Sequence, residues 1–183
     1  ILVGMAGLLS YQVGLINIAL EGMMLSGAFA AVVFGYELGS TWLGVLMAAV
    51  VGAALGALFA LAVITLHANL IVAGLALNLM DILYDQSGTL APEGLSKLPA
   101  VAIPLLDDTP ILGEILSSHS PLVYVSWAMV PLTSIFLYRM VVGGHIRAVG
   151  EHPEAAQTAG ISVKRMQYLA LILGGTLCGL AGA

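Results

Sequence analysis

The chain is a series of long apolar runs parted by short polar interruptions. Such runs are read as membrane-crossing helices, which need about 20 residues each. Ile1 to Ile16 is apolar and rather short for a full crossing, and Met23 to Tyr36 follows. Glu37 to Thr41 is a turn, and Trp42 to Leu66 is a long span with Trp42 as its interface anchor. A tight polar turn at His67 to Asn69 leads into Leu70 to Tyr84, with Asn78, Asp81 and Asp85 toward its end. Residues 85–120 are polar and hold four of the seven prolines, with Ile111 to Leu116 as a short surface helix. Leu122 to Val142 crosses back, with Pro131 as the expected kink and Tyr138 and Arg139 at the far interface. Met166 to Ala183 is the last apolar run.

The interruption His145 to Arg165 organises the rest. It holds Arg147, Lys164 and Arg165, three of the five basic residues, and Arg139 lies just before it. Pro153 suits the first position of a short helix, where its missing N–H goes unused. Glu151 and Glu154 place negative charge near that helix's positive end. Gly160 can close it in the left-handed conformation, and Ser162 can cap the next helix. Lys164 and Arg165 oppose that next helix's dipole, so they are read as anchors at a cytoplasmic membrane surface. Sidedness then follows: 143–165 inside, 85–120 outside, 67–69 inside, 37–41 outside. Residues 14–22 fall in the cytoplasmic half, or break the membrane part-way across.

Composition fixes the class. The chain is 60% hydrophobic and 8% charged, against about a quarter charged in soluble domains. Mean hydropathy is +1.06. The expectation is an all-α integral membrane protein, a polytopic helical bundle of about five or six spans, with 1–183 a single transmembrane domain. The chain opens at Ile1 inside an apolar run and ends at Ala183 inside another, so it reads as a fragment truncated at one or both ends. The net charge of −5 is segregated by loop, and no basic patch suggests nucleic-acid binding. Cys178 is the one cysteine, and no spacing suits a metal or an organic cofactor.

Candidate chemistry is sparse. Gly14 to Gly22 carries two glycines, Asn17 and Glu21 within an otherwise apolar stretch. One reading is a helix broken at membrane depth, whose backbone is satisfied by protein or a wet cavity, as in many transport sites. The other is a plain cytoplasmic turn with Glu21 solvated. Asn78 and Asp81 share a helix face; either they line a pore or Asp81 simply sits near the outer interface. The four histidines fall at turns or loop edges and read as solvated, while Ser10, Tyr11 and Gln12 are weaker candidates to face a cavity. Gly52 to Gly56 and Gly175 to Gly179 are G-x-x-x-G patterns that permit close helix approach. For the first, an ordinary small-residue span is an equal reading. No P-loop and no catalytic constellation is present.

Three segments carry a resemblance. GLINIALEGMMLSGAFAA, Gly14 to Ala31, resembles the signature of ABC-transporter permease subunits of the branched-chain amino acid and simple-sugar superfamily. Its N-I-x-x-E-G form is similar to the nucleoside and simple-sugar branch. Arg147 to Ala183 resembles the family's cytoplasmic coupling loop and following helix, and Ala76 to Met80 a third segment. The resemblance implies a non-catalytic permease of the cytoplasmic membrane. Its partners would be two cytosolic ATP-binding subunits, a second permease subunit, identical or different, an extracytoplasmic solute-binding protein and the surrounding lipid. The helix opened by Pro153 then becomes the coupling helix. Ala155, Ala156 and Ala159 would allow close packing on the ATPase, and Glu151, Glu154, Gln157 and Thr158 polar contacts. Asn17, Glu21 and Asn78 become candidates for the translocation path. Residues 85–120 match no family pattern and leave the solute open. The competing reading is an ion-coupled secondary transporter or channel using Glu21 or Asp81. A membrane-embedded enzyme ranks last.

Overall fold

The computed structural model describes residues 1–85 and 119–183, and of 80–85 the backbone alone. Asp81's side chain, residues 86–118 of the expected loop 85–120 and the helix expected at Ile111 to Leu116 therefore fall outside the described residues. Every regular element described is helical: α1 (Leu2–Tyr11), α2 (Leu20–Glu37), α3 (Thr41–Ala60), α4 (Leu70–Asp85), α5 (Pro121–Arg139), α6 (Val141–Glu151), α7 (Pro153–Thr158) and α8 (Val163–Gly182). A π-helical turn, Leu61–Thr65, prolongs α3. Among the described residues two helices are long and apolar enough to cross a bilayer, Thr41–Thr65 and Pro121–Arg139.

Helix ends follow local chemistry. Gly14, Gly39 and Gly160 all have positive φ, and each stands just past a helix end. At each, the glycine N–H and the next N–H reach back to carbonyls of the last turn: Gly14 to Tyr11 and Leu15 to Ser10, Gly39 to Tyr36 and Ser40 to Gly35, Gly160 to Gln157 and Ile161 to Ala156. That is the Schellman closure, which L side chains resist at its left-handed position. Pro153 opens α7 as expected. Ser162 stands at the N-cap of α8, but its hydroxyl makes no capping bond, a correction to its expected role. Asn69 caps α4 instead, its Oδ1 accepting from the Ile71 and Val72 N–H groups at 2.9 and 3.3 Å.

The core is a three-helix wedge of α2, α3 and α8, the most extensively packed helices among the described residues. The two G-x-x-x-G patterns meet there. A methyl group at Gly52 would overlap the Gly175 carbonyl, one at Gly175 the Gly52 carbonyl, and one at Gly179 the Ala48 carbonyl. At Gly56 it would lie 2.5 Å from the Leu171 carbonyl. From α2, a methyl at Gly27 would fall 2.6 Å from Gly179. Backbone thus meets backbone, as small residues allow in membrane helix pairs. The ordinary-span reading of Gly52 and Gly56 gives way to a helix–helix seam. Phe59, Met23, Leu171 and Cys178 are fully buried around it. α1 crosses α8 with Gly174 near the Ala6 carbonyl.

α5 packs mainly on α6 and α1 and exposes Val125, Val130, Leu132 and Ile135. Pro131 lies inside it. One extended residue, Met140, separates α5 from α6. The expected polar loop from residue 143 is helical as far as Glu151, with Gly143, Ile146 and Val149 buried. Gly143 sits against the Phe136 carbonyl, so α6 folds tightly back on α5. The Arg147 guanidinium lies 4.7 Å over the Tyr138 ring, a cation–π contact across that bend.

A candidate coupling site at one end of the bundle

Four stretches from three separate regions of the sequence meet at one end. They are the break between α1 and α2, the π turn with His67, the α7 helix and the start of α8. They enclose a cleft of ≈ 530 Å³, lined by Leu15, Ile64, His67, Pro153, Glu154 and Lys164 among others. The three turns expected on one side of the membrane, 14–22, 67–69 and 143–165, thus share one end of the molecule. The π turn is tied to α8 by a 2.6 Å hydrogen bond between Thr65 Oγ1 and the Tyr168 hydroxyl.

α7 stands proud of this end. Glu151, His152, Pro153, Glu154, Ala155, Gln157, Thr158, Ala159 and Gly160 are all exposed, and Ala156 alone is buried. The small face expected from Ala155, Ala156 and Ala159 is therefore split. Ala155 and Ala159 present it outward, while Ala156 packs inward at the Schellman closure. Glu151 closes α6, and Glu154 stands in the first turn of α7.

The break itself is held by amides. Asn17 is buried, at 7% exposure. Its Oδ1 accepts from the Ala19 N–H at 3.0 Å, and its Nδ2 lies 3.9 Å from Met23 Sδ. Asn78, on α4, spans the entry to α2: its Oδ1 accepts from the Gly22 N–H at 2.9 Å and its Nδ2 donates to the Ile18 carbonyl at 3.1 Å. Both polar ends of that amide are thus committed to backbone. Protein side chains thus satisfy the Ala19 and Gly22 N–H groups and the Ile18 carbonyl, as an opened helix at membrane depth requires of its backbone. Glu21, one residue into α2, is exposed. The structure brings all three path candidates to one break and gives them different work: Asn17 and Asn78 hold backbone, and Glu21 stays open.

On the other side of the break, α6 seats Gly150 directly on it. A methyl group there would collide with the Gln12 carbonyl and come within 3.3 Å of the Gly14 N. Sequence reasoning passed over Gly150. Its only signal was a glycine between Val149 and Glu151, in a stretch whose three glycines read as a loop.

The sequence matches the family described as the branched-chain amino acid transport system permease component, over residues 1–183. The chain belongs to that permease family. Within it, the chain is 36% identical to a guanosine ABC transporter permease protein of Bacillus subtilis, covering all of this chain and 61% of that protein. It is 35% identical to a provisionally named glucose ABC transporter permease protein of Haloferax volcanii, covering all of this chain and 57% of that one. A nucleoside ABC transporter permease protein of Lactococcus lactis is 32% identical, again over the whole chain and over 62% of its own length. The chain thus spans about three-fifths of these permeases. No solved structure matches it.

Proposed function

We propose that this chain forms part of the permease subunit of an ATP-driven importer. It would move a nucleoside or simple sugar across the cell membrane by alternating access. The chemistry of ATP belongs to separate cytosolic ATP-binding subunits. A second permease subunit and an extracytoplasmic solute-binding protein complete the assembly. The whole chain then lies in the bilayer as a multi-pass bundle of about five or six crossings. Residues 85–120 face outward and residues 143–165 the cytoplasm.

The observation that carries this reading is α7. A six-residue helix with its outward residues all open has the form of a docking knob. It stands beside the broken segment of a chain matched throughout its length by transporter permeases. A photoreactive crosslinker placed at Glu154 should capture a nucleotide-hydrolysing protein in membranes of the native host. Capture of none, with uptake that collapses on adding an ionophore yet survives ATP depletion, would select the ion-coupled reading.

In this proposal Glu21 borders the translocation path, and Asn17 and Asn78 keep the break in shape. A paired substitution separates the roles. Asn78→Ala strands the Gly22 N–H and the Ile18 carbonyl, and should cost about 1–3 kcal/mol of stability, read as a lowered melting temperature in detergent. Glu21→Gln should leave melting unchanged and lower the rate or affinity of uptake. Wild-type uptake by Glu21→Gln would return Glu21 to a solvated turn.

A further inference from the structure

The contact between α6 and the helix break has no role in closing the ends of either element. Gln12 and Gly14 already belong to the Schellman closure of α1, and α6 ends on its own hydrogen bond from the His152 N–H to the Ala148 carbonyl. Yet Val13 and Val149 are both about 1% exposed, Ile146 is fully buried, and Gly150 meets the Gln12 carbonyl with no side chain between. One residue separates α6 from α7, and that residue, His152, is the N-cap of α7. The far side of the same break is held by Asn78 through Ile18 and Gly22. Gly74 of α4 approaches there too, a methyl at that position falling 3.0 Å from Ile18 Cβ. The broken segment is therefore gripped at one end by the helix that carries α7 and at the other by α4.

We propose that Gly150 is a transmission joint. Displacement of α7 by its partner reaches the break through the Gly150 backbone seated on Gln12–Gly14, and passes from there to α4 and to Glu21. The connection short-circuits the covalent route through α5 or α8. The inference rests on the ATP-driven reading and adds to it a residue outside the docking helix that positions the break. Packed contacts of this kind carry coupling only where both partners lack slack, which a backbone-to-backbone seat provides.

The test uses the complete transporter, purified with its ATP-binding subunits and reconstituted in vesicles. Gly150→Ala is compared with Gly144→Ala, a substitution on the same helix where a methyl group meets nothing within 4 Å. Gly150→Ala should retain the ATP-binding subunits and their hydrolysis, while solute moved per ATP falls about tenfold. Gly144→Ala should match wild type. Equal transport per ATP in the two variants overturns the joint. If Gly150→Ala fails to insert, the wild-type joint is read instead from Gln12→Cys, made in a Cys178→Ala background. Its rate of labelling by a water-soluble maleimide should change between the nucleotide-free and nucleotide-trapped states. An identical rate in both states overturns the proposal. Should the wild-type chain co-purify with no ATP-binding subunit, the importer reading itself fails, before any variant is compared.

Discussion

Replacing Gly52 with leucine should abolish accumulation of the folded protein. At this point in the wedge even a methyl group overlaps the Gly175 carbonyl, with Gly179 close on the same side. Both neighbours are backbone, so no flexible side chain can swing away. Helices α3 and α8 would have to separate, and with them α2, which meets Gly179 through Gly27. Over-packing of a tight core costs about 1–3 kcal/mol in ordinary cases, and a seam with no give belongs at or beyond the top of that range. Gly52→Ala should show the same fault in milder form. Gly4→Ala is the control, since a methyl group there meets nothing within 4 Å and alanine favours helix by about 1 kcal/mol. The measurement is thermal unfolding in detergent, with yield of membrane-inserted protein beside it. A Gly52→Leu protein that melts with the wild type would show that α3 and α8 do not meet as described.

Ala155→Trp should leave the protein folded and inserted yet cut ATP-driven uptake about tenfold or more, by spoiling a close-packed docking contact. Ala155 is exposed on α7, so an indole there can turn outward without displacing the chain's own buried packing. Whatever it disturbs must come from outside. Ala156→Trp gives the opposite pattern. Ala156 is 5% exposed, and its carbonyl receives the Ile161 N–H that closes α7, so an indole there should lower the melting temperature before any partner is involved. The pair separates docking from folding in one helix turn. Uptake by Ala155→Trp at the wild-type rate, with normal insertion, would remove α7 from the docking surface.

Much of the fold was legible. The blocks of apolar residues placed α3, α4, α5 and α8 nearly where they lie. Pro153 and Gly160 marked α7, because proline and glycine act through local backbone geometry alone. Helix α6 was not legible. Its sequence VVGGHIRAVGE holds three glycines and the interruption's first charges, a poor helix by propensity. Burial of Ile146 and Val149 and the seat of Gly143 on α5 override that preference, and neither shows until α5 is in place.

The site was legible in its ingredients and not in its connections. Glu21 and Asn17 stood out as polar residues in an apolar stretch. That Asn78 would grip the Gly22 N–H depends on a contact across 56 residues. The two G-x-x-x-G patterns were each visible, but nothing local says that they face one another. Ala156, called part of an outward face, turned inward because Gly160 reverses the chain directly over it.

A seam built from glycine backbones has no rotamers to exchange. Interfaces that re-pack between two stable arrangements do so by trading side-chain positions, and α2, α3 and α8 offer none at the glycines where their backbones touch. They would travel as one slab. Any give in this part of the chain would lie along its rim, at Met140 between α5 and α6 and at the amide-stitched opening before α2.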